Sequence, residues 1–216
     1  MEKDLDKKVG NLPTFYLRKE KYMKKLLITG FEPFGAEKIN PSWEAVCRLP
    51  DKISEYSIHK LLLPVVFREA ARMVIEEADK ISADVIISVG QAGGRNAITP
   101  ELVGINLRNA KILDNCGNQP KDETIIVGGA DAHFSTLPVR KIADMINESG
   151  IPSQVSYSAG TFVCNDVLYT LLAHYKNTEV LVGFIHVPFC SEQGKELSMP
   201  LDDIANALII AIEGID

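Results

Sequence analysis

Short unbroken runs of Val, Ile and Leu recur along this chain, and stretches with helical apolar spacing separate them. A strand buried on both faces reads as continuous hydrophobe, because neither face is solvated. Runs of this kind alternating with amphipathic helices define an α/β domain with a mostly parallel sheet covered on both sides. The predicted strands are residues 26–29, 58–66, 85–89, 155–158 and 180–187. Between them, Asn40 and Pro41 suit the cap and first position of a helix. That helix places Trp43, Val46 and Leu49 on one face. Further helices are predicted over 69–81, with Ala70, Met73, Val74 and Ala78 inward, and over 139–147, 163–174 and 201–212. Residues 97–107 read as extended, and 112–134, rich in Asp, Asn and Gly, as a long loop.

The 216 residues suffice for one sizeable core, and no repeat or linker divides 23–216. Residues 1–22 are charged and lack an apolar pattern; they read as a loosely ordered extension. The net charge is −6, with no Lys/Arg stripe, which argues against a nucleic-acid partner. No window approaches the roughly 20 apolar residues of a membrane span, and the N-terminus has no apolar signal core. A cytoplasmic protein is the expectation. Cys47, Cys116, Cys164 and Cys190 are irregularly spaced, so neither a disulfide framework nor structural zinc is indicated. Paired metal ligands are lacking, and no metal or cofactor is expected.

Ligand sites in open α/β sheets gather where strands end and helices begin. Three such places carry reactive side chains. In Ser158-Ala159-Gly160-Thr161-Phe162-Val163-Cys164-Asn165, a predicted strand and small-residue turn lead into a helix whose first turn holds Cys164. Free N–H groups and the helix dipole favour an anion there, which would lower the thiol pKa and stabilise an oxyanion. His186 sits near the end of an apolar strand, before Pro188, where an imidazole could exchange a proton with a thiol. Glu101, in Thr99-Pro100-Glu101, could orient that imidazole. Spacing alone does not connect these three residues, and each also fits a structural role: a packed thiol, a strand-end histidine, a solvated carboxylate. His59, His133 and His174 have weaker contexts. The loop Gly90-Gln91-Ala92-Gly93-Gly94-Arg95 fits neither glycine-rich phosphate motif and reads as a substrate wall.

Together these stretches closely resemble the pyrrolidone-carboxylate peptidases (pyroglutamyl peptidase I). The matching segments are LLITGFEPFG at 26–35, NPSWEAV at 40–46, VGQAGGR at 89–95, ITPE at 98–101 and INL at 105–107. DNCGNQP at 114–120, SAGTFVCN at 158–165 and GFIHVP at 183–188 continue the match. The resemblance implies a single three-layer α/β/α domain with a twisted central sheet, a cofactor-free cysteine omega-peptidase, and a homotetramer. It implies a triad of Cys164, His186 and Glu101, and a pyroglutamate pocket at Phe31, Phe34, Gln91, Phe162 and Val163. It implies peptides bearing N-terminal pyroglutamate as substrates. Lys111 and Leu102 stand where the family usually has arginine, and Cys190 where it usually lacks cysteine. Two other readings compete: a nucleoside phosphorylase-like enzyme on a related fold, and a non-catalytic binder of blocked peptide N-termini.

Overall fold

The computed structural model describes residues 23–215; the extension expected over 1–22 lies outside the described residues. In chain order the elements are β1 (Lys24–Phe31), α1 (Pro41–Arg48), β2 (Lys52–Ile53), β3 (Tyr56–Leu63), α2 (Glu69–Ile81), β4 (Val85–Gln91), β5 (Thr99–Pro100) and β6 (Val103–Ile105). They continue with β7 (Ala132–Phe134), α3 (Val139–Glu148), α4 (Val163–His174), β8 (Leu181–Val187), β9 (Phe189–Cys190), a 3-10 turn (Ser191–Gln193), β10 (Ser198–Met199) and α5 (Leu201–Glu213).

The central sheet has the order β2-β3-β1-β4-β8-β5. Its four inner strands are parallel, and the two short edge strands β2 and β5 run antiparallel. Side chains alternate across the sheet, so each strand feeds two cores. Leu26 and Ile28 pack with α1, α3 and α5 on one face, whereas Leu27 and Ile86 pack with α2 and α4 on the other. This is the expected three-layer α/β/α sandwich. The chain winds outward from β1 to β3, then returns past β1 to β4. The topological switch point therefore lies between β1 and β4, at whose C-terminal ends a crevice opens.

Local chemistry fixes most boundaries. The Asn40 side chain accepts from the Ser42 N–H at 3.1 Å, with Pro41 first in α1. Strand β3 stops at Leu63 rather than Val66, because Pro64 cannot donate to a ladder. Residues 97–107 divide into β5 and β6, and the end of the 112–134 loop forms β7, which pairs with β6.

The strand expected over 155–158 is absent as a regular element. Residues 152–156 run parallel to 98–102 through four backbone bonds, including Gln154 N to Ile98 O and Ser156 N to Pro100 O. A continuous ladder would also need an N–H from residue 100 to Gln154. That residue is proline, so only isolated bridges form, at Ile98–Ser153 and Glu101–Ser156.

Candidate active site

Strand register brings two of the three reactive residues together. Gly90 of β4 pairs with His186 of β8, which pairs in turn with Thr99 of β5. Paired residues share a face of the sheet, and residues two apart on one strand do also. Glu101 extends β5 by one residue, its N–H donating to Phe184 O at 2.9 Å. Its side chain is thereby diagonal to His186 on the same face. His186 Nδ1 donates to Glu101 Oε1 at 2.7 Å, and both residues are buried. With Nδ1 committed to a carboxylate, Nε2 is the nitrogen left to exchange a proton.

Cys164 arrives from above this face, as the second residue of α4. Gly90 makes room for it: a Cβ there would lie 3.0 Å from Cys164 Sγ and 2.8 Å from Phe184 Cζ. The sulfur thus stands over the strand position directly opposite His186. The start of α4 is anchored by side chains that leave its own N-terminal N–H groups free. Asn165 accepts from Ile105 N at 2.9 Å and donates to the carbonyls of Ile105 and Leu107. Asp166 Oδ1 accepts from Arg108 Nε at 2.6 Å, and Oδ2 from the Arg68 N–H at 2.7 Å. Phe162, the N-cap residue, supplies no side-chain cap, so donors remain for an anion at the cavity.

The thiol does not behave as the helix start alone suggested. Burial, joined by the negative charge of Glu101, pushes Cys164 up to about 12, against the opposing pull of its own backbone N–H and Arg95. Desolvation outweighs the helix dipole, and the free protein holds a neutral thiol. Burial also acts on Glu101, but the hydrogen bond and charge of His186, with help from Arg95, hold its carboxyl below the usual range.

Cys164 and His186 both border one cavity of about 510 Å3. All five residues expected at a substrate pocket, Phe31, Phe34, Gln91, Phe162 and Val163, line it as well. The Phe34 and Phe162 rings lie 6.4 Å apart, and Phe67 supports Phe162 edge-on at 5.1 Å. Glu101 sits behind His186 rather than in the wall. Arg95 was not anticipated: it borders the cavity, donates to Thr99 Oγ1 at 2.6 Å and pairs with Glu101 Oε1 at 3.0 Å. Its place at the end of a glycine loop was visible in the sequence, but its partners are not local. Leu102 packs against the core and Lys111 is exposed. His59, His133 and His174 lie outside the cavity lining.

A cysteine at a helix start, beside a buried Glu–His pair at the carboxyl edge of a parallel sheet, defines a hydrolase of the cysteine-peptidase class. Residues 24–216 match the family model described as Pyroglutamyl peptidase, and the chain belongs to that family. It is 47% identical to a pyrrolidone-carboxylate peptidase of Staphylococcus saprophyticus, over 88% of this chain and 92% of that one. The crystal structure of pyroglutamyl peptidase I from Bacillus amyloliquefaciens is similar with a TM-score of 0.86 at 46% identity, covering 89% of this chain and 94% of that one. The pyrrolidone carboxyl peptidase from Thermococcus litoralis gives 0.85 at 36% identity, covering 89% and 93%. Neither a phosphorylase nor a non-catalytic binder gains support from these relatives.

Proposed function

We propose that this chain releases N-terminal pyroglutamate from peptides, with Cys164 as nucleophile, His186 as general base and acid, and Glu101 orienting His186. The observation that carries the reading is the buried 2.7 Å Glu101–His186 bond, beside a cavity that also holds the Cys164 thiol. As Sγ bonds to the pyroglutamyl carbonyl carbon, its proton passes to His186 Nε2, so the thiolate arises only in the attack. The oxyanion is met by N–H groups at the start of α4. When the C–N bond breaks, His186 returns the proton to the departing amine and a thioester remains. Water then gives a proton to His186 and attacks the thioester, freeing pyroglutamate and the thiol.

The cavity suits the substrate. Pyroglutamate is a flat, uncharged lactam that aromatic faces such as Phe34 and Phe162 can enclose. A free α-amine would bring a charge into an apolar wall, which disfavours unblocked peptides. The family likeness supports a homotetramer, and exposed Ile112, Leu113, Val127 and Phe134 offer apolar surface for subunit contacts. Four free thiols accord with a reducing cytoplasm.

Cys164→Ala is expected to lower cleavage of a pyroglutamyl-arylamide by at least about 1000-fold with the fold intact. Retained turnover in the purified variant would overturn the assignment.

A further inference from the structure

Beneath the glycine loop, a chain of polar side chains ends on Gln91, and its hydrogen bonds can run in only one sense. Gln193, in the 3-10 turn, is saturated. Its Oε1 accepts from the Cys190 N–H at 3.0 Å, and its Nε2 donates to Glu37 Oε2 at 3.0 Å and to Gln91 Oε1 at 2.9 Å. Amide oxygen and nitrogen are distinguished by partners with a single role, and both kinds are present here. A backbone N–H only donates and a carboxylate only accepts, so the Gln193 amide is oriented from both ends. Lys195 pairs with Glu37 at 2.9 Å and, with Gln193, holds its carboxyl below the usual range. The turn itself is seated on the loop: a Cβ on Gly93 would lie 2.4 Å from Phe189 Cζ, so only glycine lets the Phe189 ring pack there.

We infer that Gln193, oriented by Glu37, is a positioning residue that fixes Gln91 with its oxygen turned away from the cavity. The two N–H groups of Gln91 Nε2 then face the pocket as donors. The inference rests on the proposed role of Gln91 in holding the pyroglutamyl ring, and sharpens it: Gln91 takes the ring carbonyl, not the ring N–H. It also sets a polarity for selection. A five-membered ring without the carbonyl, such as an N-terminal prolyl group, would place a CH2 where the acceptor belongs and leave the Gln91 N–H groups unpaired.

The decisive variant is the exchange Glu37→Gln with Gln193→Glu. It conserves size, net charge and the number of hydrogen bonds, yet makes residue 193 an acceptor toward Gln91. Gln91 then turns its N–H groups inward and its oxygen to the cavity. The full chain is assayed with pyroglutamyl-aminomethylcoumarin, and the Ki of 2-pyrrolidone is measured as a ligand that undergoes no chemistry. The exchange is expected to raise KM and Ki together by about tenfold, with kcat within about threefold. In a Gln91→Ala background it should add less than about twofold. A parental Ki for the exchange variant, with a raised Ki for Gln91→Ala, would overturn the relay while sparing the role of Gln91. Full persistence of the penalty without the Gln91 amide would do the same. A parental Ki for Gln91→Ala itself would remove both. Should the exchange variant fail to fold, Gln193→Met, which leaves Gln91 unpinned, is expected to raise Ki about threefold with the same kcat behaviour, and an unchanged Ki would overturn the relay.

Discussion

Two buried carboxylates flank the start of α4, and their partnerships are built differently. Asp166 uses both oxygens, one on the Arg108 guanidinium and one on the Arg68 backbone N–H. Glu101 concentrates two donors, His186 Nδ1 and Arg95, on Oε1, while its buried Oε2 has no hydrogen-bond partner among the described residues. Arginine keeps its charge at any working pH, whereas an imidazole gains and loses a proton within reach of neutrality. The Asp166–Arg108 pair is therefore a clamp that ties α4 to the loops around residues 68 and 108. The Glu101–His186 pair is a device whose charge state can change during a reaction. One fixes where the nucleophile stands; the other serves what it does.

The largest expected effect falls on the clamp. Asp166→Ala strands a buried guanidinium and a backbone N–H, and removal of one partner from such a pair costs about 3–5 kcal/mol. Urea denaturation should show that loss. Replacing the pair together, as Asp166→Leu with Arg108→Met, should recover much of it. If Asp166→Ala lost turnover while keeping wild-type stability, the distinction between clamp and device would fail.

Next comes the device. Glu101→Gln keeps size and leaves an amide beside His186, so the fold should survive with a change of about 1 kcal/mol or less. The oriented imidazole and the support for its cationic form are lost, and kcat should fall about 100-fold. Circular dichroism melts and steady-state kinetics on one preparation separate the two quantities. A large stability loss with near-normal kcat would make Glu101 another clamp.

Legibility in the sequence followed the range of the interaction. Helices α2 and α4 end where their apolar spacing predicts, because caps and periodicity act within a few residues. The sheet class was legible too, since burial on both faces leaves its mark on each strand separately. The strand expected over 155–158 failed because its partner, not its own residues, carries Pro100. Cys164, His186 and Glu101 could be marked one by one from local context or resemblance. Only the register β4-β8-β5 explains why Gly90, His186 and Glu101 meet. Arg95 and Gln193 escaped notice, as their partners lie across the fold. The thiol shows the same limit: the helix start is local and favours an anion, but burial is tertiary and prevails.

The smallest effect, and the sharpest test of the difference, is a pH dependence of stability. Glu101 has its folded carboxyl held below its ordinary value of 4.5. Its contribution is present above that value and is lost as pH falls through the folded-state pKa. The stability gap between wild type and Glu101→Gln should therefore narrow in acid. Cys164 shifts the other way, from an ordinary 9.0 to about 12. Below pH 9 the thiol is neutral in both states and costs nothing. As pH rises from 9 toward 12, the unfolded chain ionises first, and the folded state loses ground to it. Wild type should decline over that window relative to Cys164→Ala, and urea midpoints collected across pH resolve both limbs. A parallel course for wild type and Cys164→Ala above pH 9 would mean that the folded thiol ionises as readily as a free one. Burial would then not be what holds the thiol neutral. A standing thiolate would instead show as wild type gaining on Cys164→Ala as pH rises toward 9, leaving His186 no proton to take in the attack.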